Sequence, residues 1–86
     1  MITPHAKTML IIAEVAREHG VTVGAILGPS RGMKETRARW EAIRRVHRER
    51  PRPLNQLGKL FNRDHSTIMY ALKRLGDGYN AWEIAA

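Results

Sequence analysis

Apolar residues return at helical intervals through most of the chain, and no segment alternates apolar and polar positions as a half-buried strand would. Thr3-Pro4 opens the first helix, because Thr can cap it and Pro suits the first helical position. From there Met9, Ile12, Ala13 and Ala16 recur in steps of three and four, with Ile11 and Val15 widening the stripe. Gly20 is the expected stop. Thr22 then caps a short helical turn ending near Gly28, and "PSRGMK" (29–34) reads as a loop from its Pro, Ser and Gly. A longer helix is predicted over 34–49, with Trp40, Ile43 and Val46 on one face. "RPRP" (50–53) ends it, since proline cannot continue a helix and restrains the residue before it.

Residues 54–61, "LNQLGKLF", form a short amphipathic helix through Leu54, Leu57 and Phe61. Asn62 and Arg63 make a tight turn, and a last helix spans 64–75. Its Ile68, Ala71, Leu72 and Leu75 lie at i, i+3, i+4 and i+7 and face the core. Gly76 stops it, and 77–86 follows as a tail separate from the 1–76 domain. The expected fold class is an all-α bundle of four to five helices. Two short helices joined by a tight turn, the second polar at its start, make a helix-turn-helix pattern.

Composition narrows the setting. The 86 residues suffice for one domain with a modest core. A starting Met and this length are expected of a complete chain. Apolar residues make up 43%, which sets aside a disordered chain. With no cysteine there is no disulfide framework and no thiolate metal site. No apolar run approaches the roughly 18 residues a membrane span needs, and the N-terminus lacks the pattern of a signal peptide. The expectation is a cytoplasmic, nucleoid-associated protein with no membrane contact.

Charge changes the picture most. Fifteen Lys and Arg face eight Asp and Glu, a formal net charge of +7 with a pI near 10.9. Such a balance draws polyanions. Seven arginines fall between Arg37 and Arg52, opposed only by Glu41 and Glu49. A plain reading is a solvated helix face. The arginine bias favours phosphate, which the planar guanidinium matches. Arg45, if it touches phosphate, would strengthen binding to every sequence alike.

The last helix carries the sharpest candidate chemistry. Opposite its apolar stripe lie Ser66, Thr67, Tyr70, Lys73 and Arg74, with no acid after Asp64. Its first turn, "RDHST" (63–67), gathers Asp, His, Ser and Thr where a recognition helix meets base edges. Asp accepts from the cytosine amino group, Ser and Thr serve several bases, and the Thr methyl packs on that of thymine. His gives a donor or an acceptor according to its tautomer. Asp64 is equally well placed as a helix cap, and the two uses are compatible. His5, His19, His47 and His65 show no metal-ligand spacing with carboxylates. No nucleophile stands beside a base and its orienter, so neither an enzyme nor a metal or cofactor is expected.

"LGKLFNRDHSTIMYALKRL" (57–75) resembles the signature of domain IV of the bacterial replication initiator DnaA. That pattern runs Ile/Leu-Gly, Phe, then Arg-Asp-His-Ser/Thr-Thr-Val. Here it is Leu57-Gly58, Phe61 and Arg63-Asp64-His65-Ser66-Thr67-Ile68. "IAEVAREHGVTVGAILG" and "SRGMKETRARWEAI" are similar to the family's opening helix, turn, basic loop and next helix, so the likeness covers about 8–75. The resemblance implies a Trp-repressor-like helix-turn-helix that binds the DnaA box in double-stranded DNA as a single module, a monomer. It implies base contacts by Asp64, His65, Ser66 and Thr67 in the major groove and by Arg31 in the minor groove. Backbone contacts fall by the same likeness on Arg37, Arg39, Tyr70 and Arg74, and on Asn55 where many members have proline.

The chain departs from the pattern in several places. Only Asn62 stands where two small residues are usual, Tyr70 replaces a frequent His, and the loop around Arg31 is less basic. There is no GxxxxGK[ST], so no ATP-driven assembly is expected. The function implied is site-specific DNA binding that regulates replication initiation or transcription. The alternative is an interaction module that binds the initiator DnaA or another replication protein; Tyr79, Trp82 and Ile84 of the tail would either dock on that partner or cover the chain's own core, with Trp82 packed on its helices.

Overall fold

The computed structural model describes residues 3–74. The expected stop at Gly76, the core position Leu75 and the tail with Tyr79, Trp82 and Ile84 lie outside the described residues. Five helices follow in order: α1 (Pro4–His19), α2 (Val23–Leu27), α3 (Met33–Glu49), α4 (Leu54–Phe61) and α5 (His65–Arg74). The described residues contain no strand.

Local chemistry sets the helix ends. The Thr3 hydroxyl accepts from Ala6 N at 3.1 Å, and the Thr22 hydroxyl accepts from Ala25 N at 3.0 Å, each satisfying an amide that the first turn leaves without a partner. Gly20 closes α1 at φ 68°, a left-handed conformation that glycine adopts without strain. Asn62 closes α4 in the same region, at φ 56°. The next amide, Arg63 N, donates back to Gly58 O at 2.8 Å, a Schellman-like ending that lets a three-residue turn reach α5.

Helix α3 touches all four others and forms the spine of the bundle. Around it lie Ile12, Val15 and Ala16 of α1, Ile26 of α2, Leu54, Leu57 and Phe61 of α4, and Ile68, Ala71 and Leu72 of α5. These meet Ala38, Ala42, Ile43 and Val46 of α3 itself. Full burial of each large side chain contributes about 1.5–3 kcal/mol, so Phe61 and the six isoleucine and leucine residues buried completely with it dominate the core. Two expectations are corrected here. Ala13 is exposed, because the buried stripe of α1 runs through Ile12, Val15 and Ala16. Arg39, placed on the DNA backbone by the family likeness, is only 5% exposed.

Candidate nucleic-acid interface

The turn between α4 and α5 is shaped by close backbone approach. A Cβ on Gly58 would sit 2.5 Å from the Arg63 carbonyl oxygen, so the chain can fold over α4 here only because residue 58 has no side chain. The Asp64 carbonyl then accepts from Thr67 N at 3.0 Å and Ile68 N at 3.2 Å, which starts α5. Asp64 therefore occupies the cap position of α5 through its carbonyl, while its carboxylate bonds the first amide of the helix and not the second or third. Its carboxylate works locally as well. Oδ1 accepts from His65 N at 3.0 Å, Oδ2 accepts from the Ser66 hydroxyl at 2.6 Å, and His65 Nδ1 lies 3.3 Å from Oδ1. The Ser66 hydrogen bond, more than any other influence, holds this carboxyl below its usual range, and the His65 ring and amide act in the same direction. Asp64, His65 and Ser66 remain exposed, and Thr67 is half-buried.

Arg63 is half-buried. Its guanidinium donates to the carbonyls of Asn62 and of Gly28, 35 residues earlier. That bond ties the turn to the loop between α2 and α3. Two shallow concavities meet along it. One, of about 470 Å³, is lined by Asn55, Gly58, Lys59, Asn62, Arg63, Asp64 and His65. The other, of about 380 Å³, is lined by Pro29, Ser30, Arg31, Thr36, Arg39, Asn62 and Arg63. Arg31, exposed on its loop, thus shares one continuous face with Asn55 and the first turn of α5.

The remaining sequence candidates divide. Arg37 is exposed on α3. Tyr70 is 56% exposed and meets the edge of Trp40, with ring centroids 5.7 Å apart and planes at 67°. The side chain of Arg74 lies outside the described atoms. Arg39 does not suit a DNA contact. Its Nε donates to Ile26 O at 2.7 Å, and its Nη2 lies 2.9–3.3 Å from the carbonyls of Ala25, Gly28 and Ser30. Burial first, and then the neighbouring Arg63 charge, pull its pKa below the usual value. Arg39 therefore fastens α2 and the following loop to α3.

Arg45 is also engaged by side chains of its own chain. It grips Glu18 of α1 through both terminal nitrogens at 2.9 and 2.7 Å and reaches Glu41 at 3.1 Å. The Glu18 hydrogen bond is the main reason its pKa rises. Burial alone would raise the Glu41 carboxyl, but hydrogen bonds from Arg44 and Arg45 outweigh it and hold the group low. Sequence reading missed the role of Arg63. The motif contains the residue, yet nothing nearby in sequence signals a bond to Gly28.

Among the described residues no three His, Asp or Glu side chains gather as a metal site, and no helix is long and apolar enough to cross a membrane. A family model described as the bacterial dnaA protein helix-turn-helix matches residues 8–75. No curated protein and no solved structure matches the chain.

Proposed function

The chain belongs to the family of the bacterial DnaA helix-turn-helix, a DNA-binding domain, and from that premise we propose that it recognises a DnaA-box-like site in duplex DNA and so regulates replication initiation or transcription. One observation carries this reading. The first turn of α5 presents Asp64, His65 and Ser66 to solvent on the same face as Arg31, with Arg63 bracing the two.

The ten described residues of α5 span about 15 Å, which suits a major groove about 12 Å wide. With its first turn inward, His65, Ser66 and Thr67 face base edges. Arg31 enters the neighbouring minor groove. Arg37, Asn55, Tyr70 and Arg74 lie along the phosphates, which position the domain without reading sequence. Arg39 has no part in this contact.

Fluorescence anisotropy with a DnaA-box duplex and a scrambled duplex, each at two salt concentrations, tests the reading. A preference of about tenfold or more for the box, retained at the higher salt, is expected, since each bidentate or well-placed base contact discriminates by about 1–3 kcal/mol. Equal binding that collapses with salt would reject it, because phosphate contacts alone give affinity without sequence.

A further inference from the structure

The polar hydrogens of the α5 first turn have a definite direction. The Asp64 carboxylate has no hydrogen to give. The hydroxyl hydrogen of Ser66 is therefore spent on Oδ2, 2.6 Å away, and only lone pairs of Ser66 face outward. The same carboxylate lies 3.3 Å from His65 Nδ1 through Oδ1, which favours the ring tautomer with its hydrogen on Nδ1. In the neutral ring Nε2 is then an acceptor. The strongest donor in the turn, the Arg63 guanidinium, is withdrawn onto the carbonyls of Asn62 and Gly28. For Arg63 the commonest specific contact in DNA recognition, arginine on guanine, would compete with these backbone bonds.

We infer that Asp64 is a positioning residue that turns His65 and Ser66 into acceptors, so that these two take base amino groups, adenine N6 or cytosine N4, and not purine N7 or guanine O6. The inference rests on the base-reading proposal and deepens it. It assigns a chemical polarity to the contact, which the family match does not give.

The test uses the full chain and the duplex it selects from a random pool. Anisotropy titrations compare that duplex with copies carrying single-atom changes. Purine in place of adenine, or 2-pyrimidinone in place of cytosine, deletes one amino group, and 7-deaza purines delete the N7 acceptor. One or two amino deletions should weaken wild-type binding about tenfold. The same deletions should cost nothing further in His65→Ala or Ser66→Ala. Asp64→Asn replaces one of the two acceptor oxygens by a donor amide, so the His65 amide and the Ser66 hydroxyl no longer each have an oxygen of their own. It should lose the amino coupling and gain sensitivity to 7-deaza purines, a change that simple loosening of the helix start does not produce.

Coupling of His65 or Ser66 to purine N7 in the wild-type chain would overturn the inference. So would Asp64→Asn with the amino coupling intact. A chain that selects no sequence from the pool overturns base reading itself. A chain that selects a sequence but shows N7 coupling overturns only the polarity assigned here.

Discussion

Helix α3 and the turn that opens α5 put their polar side chains to opposite uses. On α3, Arg39 donates to carbonyls of α2 and the loop after it, while Arg44 and Arg45 are held by Glu41 and Glu18. The guanidiniums of Arg39 and Arg45 join α3 to its neighbours, and that of Arg44 is held within α3. The α5 turn is far less charged, yet Asp64, His65 and Ser66 stand in solvent, bonded only to one another and to their own backbone. The density of arginine along a sequence is therefore a poor guide to where DNA binds. What matters is whether carbonyls or carboxylates of the same chain already use the donors.

The comparison breaks most visibly at Arg39. Arg39→Met should destabilise the fold by about 2–4 kcal/mol, because buried carbonyls lose their donor. Chemical denaturation measures this. The fraction that remains folded should bind DNA with an unchanged salt dependence. A stable variant with a shallower salt slope would return Arg39 to the interface.

Gly58→Ala should cost about 1–3 kcal/mol, since the new methyl meets backbone and not a side chain that can swing aside. Binding should fall with it as the turn shifts, whereas Arg39→Met acts on stability alone. Thermal melts and titrations of the two variants side by side separate the effects.

Arg45→Ala should lose only about 0.5–1 kcal/mol, because the bonds between Arg45 and Glu18 lie at the surface and are screened by solvent. Arg37→Ala sharpens the contrast. It should leave stability within about 0.5 kcal/mol and reduce the log–log salt slope by about 0.9 if one phosphate contact is lost. Equal salt slopes for the two variants would erase the distinction between wired and exposed arginines.

Acid offers a further test. Glu18, Glu41 and Asp64 all have folded pKa values held below their usual 4.5 and 3.8. The unfolded chain then binds more protons as pH falls through that range. Their contribution is present at neutral pH and is lost on going below about pH 4.5. Melting temperatures should drop there, and Arg45→Ala should flatten the part due to Glu18 and Glu41.

Much of this was legible in the sequence because it is governed by local rules. The caps at Thr3 and Thr22, the stop at Gly20 and the apolar stripes of α4 and α5 follow from residue type and spacing. The placement of Asp64, His65 and Ser66 on an exposed first turn follows from where α5 begins. Arg39 and Arg63 were not legible. Each acts on carbonyls of a loop at least nine residues away in sequence, and an arginine destined for a buried carbonyl looks the same in sequence as one destined for phosphate. Ala13 failed for a related reason, since a small apolar residue at the edge of a helical stripe fits either side.

The central claim is that the turn reads sequence while the fold and its remaining cations supply general affinity. The most direct measurement is the ratio of affinities for the preferred and scrambled duplexes, taken for the wild-type chain and for His65→Ala across a salt series. The account predicts that His65→Ala loses about 1–3 kcal/mol on the preferred duplex alone, so the ratio falls toward one at an unchanged salt slope. The same loss on both duplexes, with the ratio intact, would contradict it.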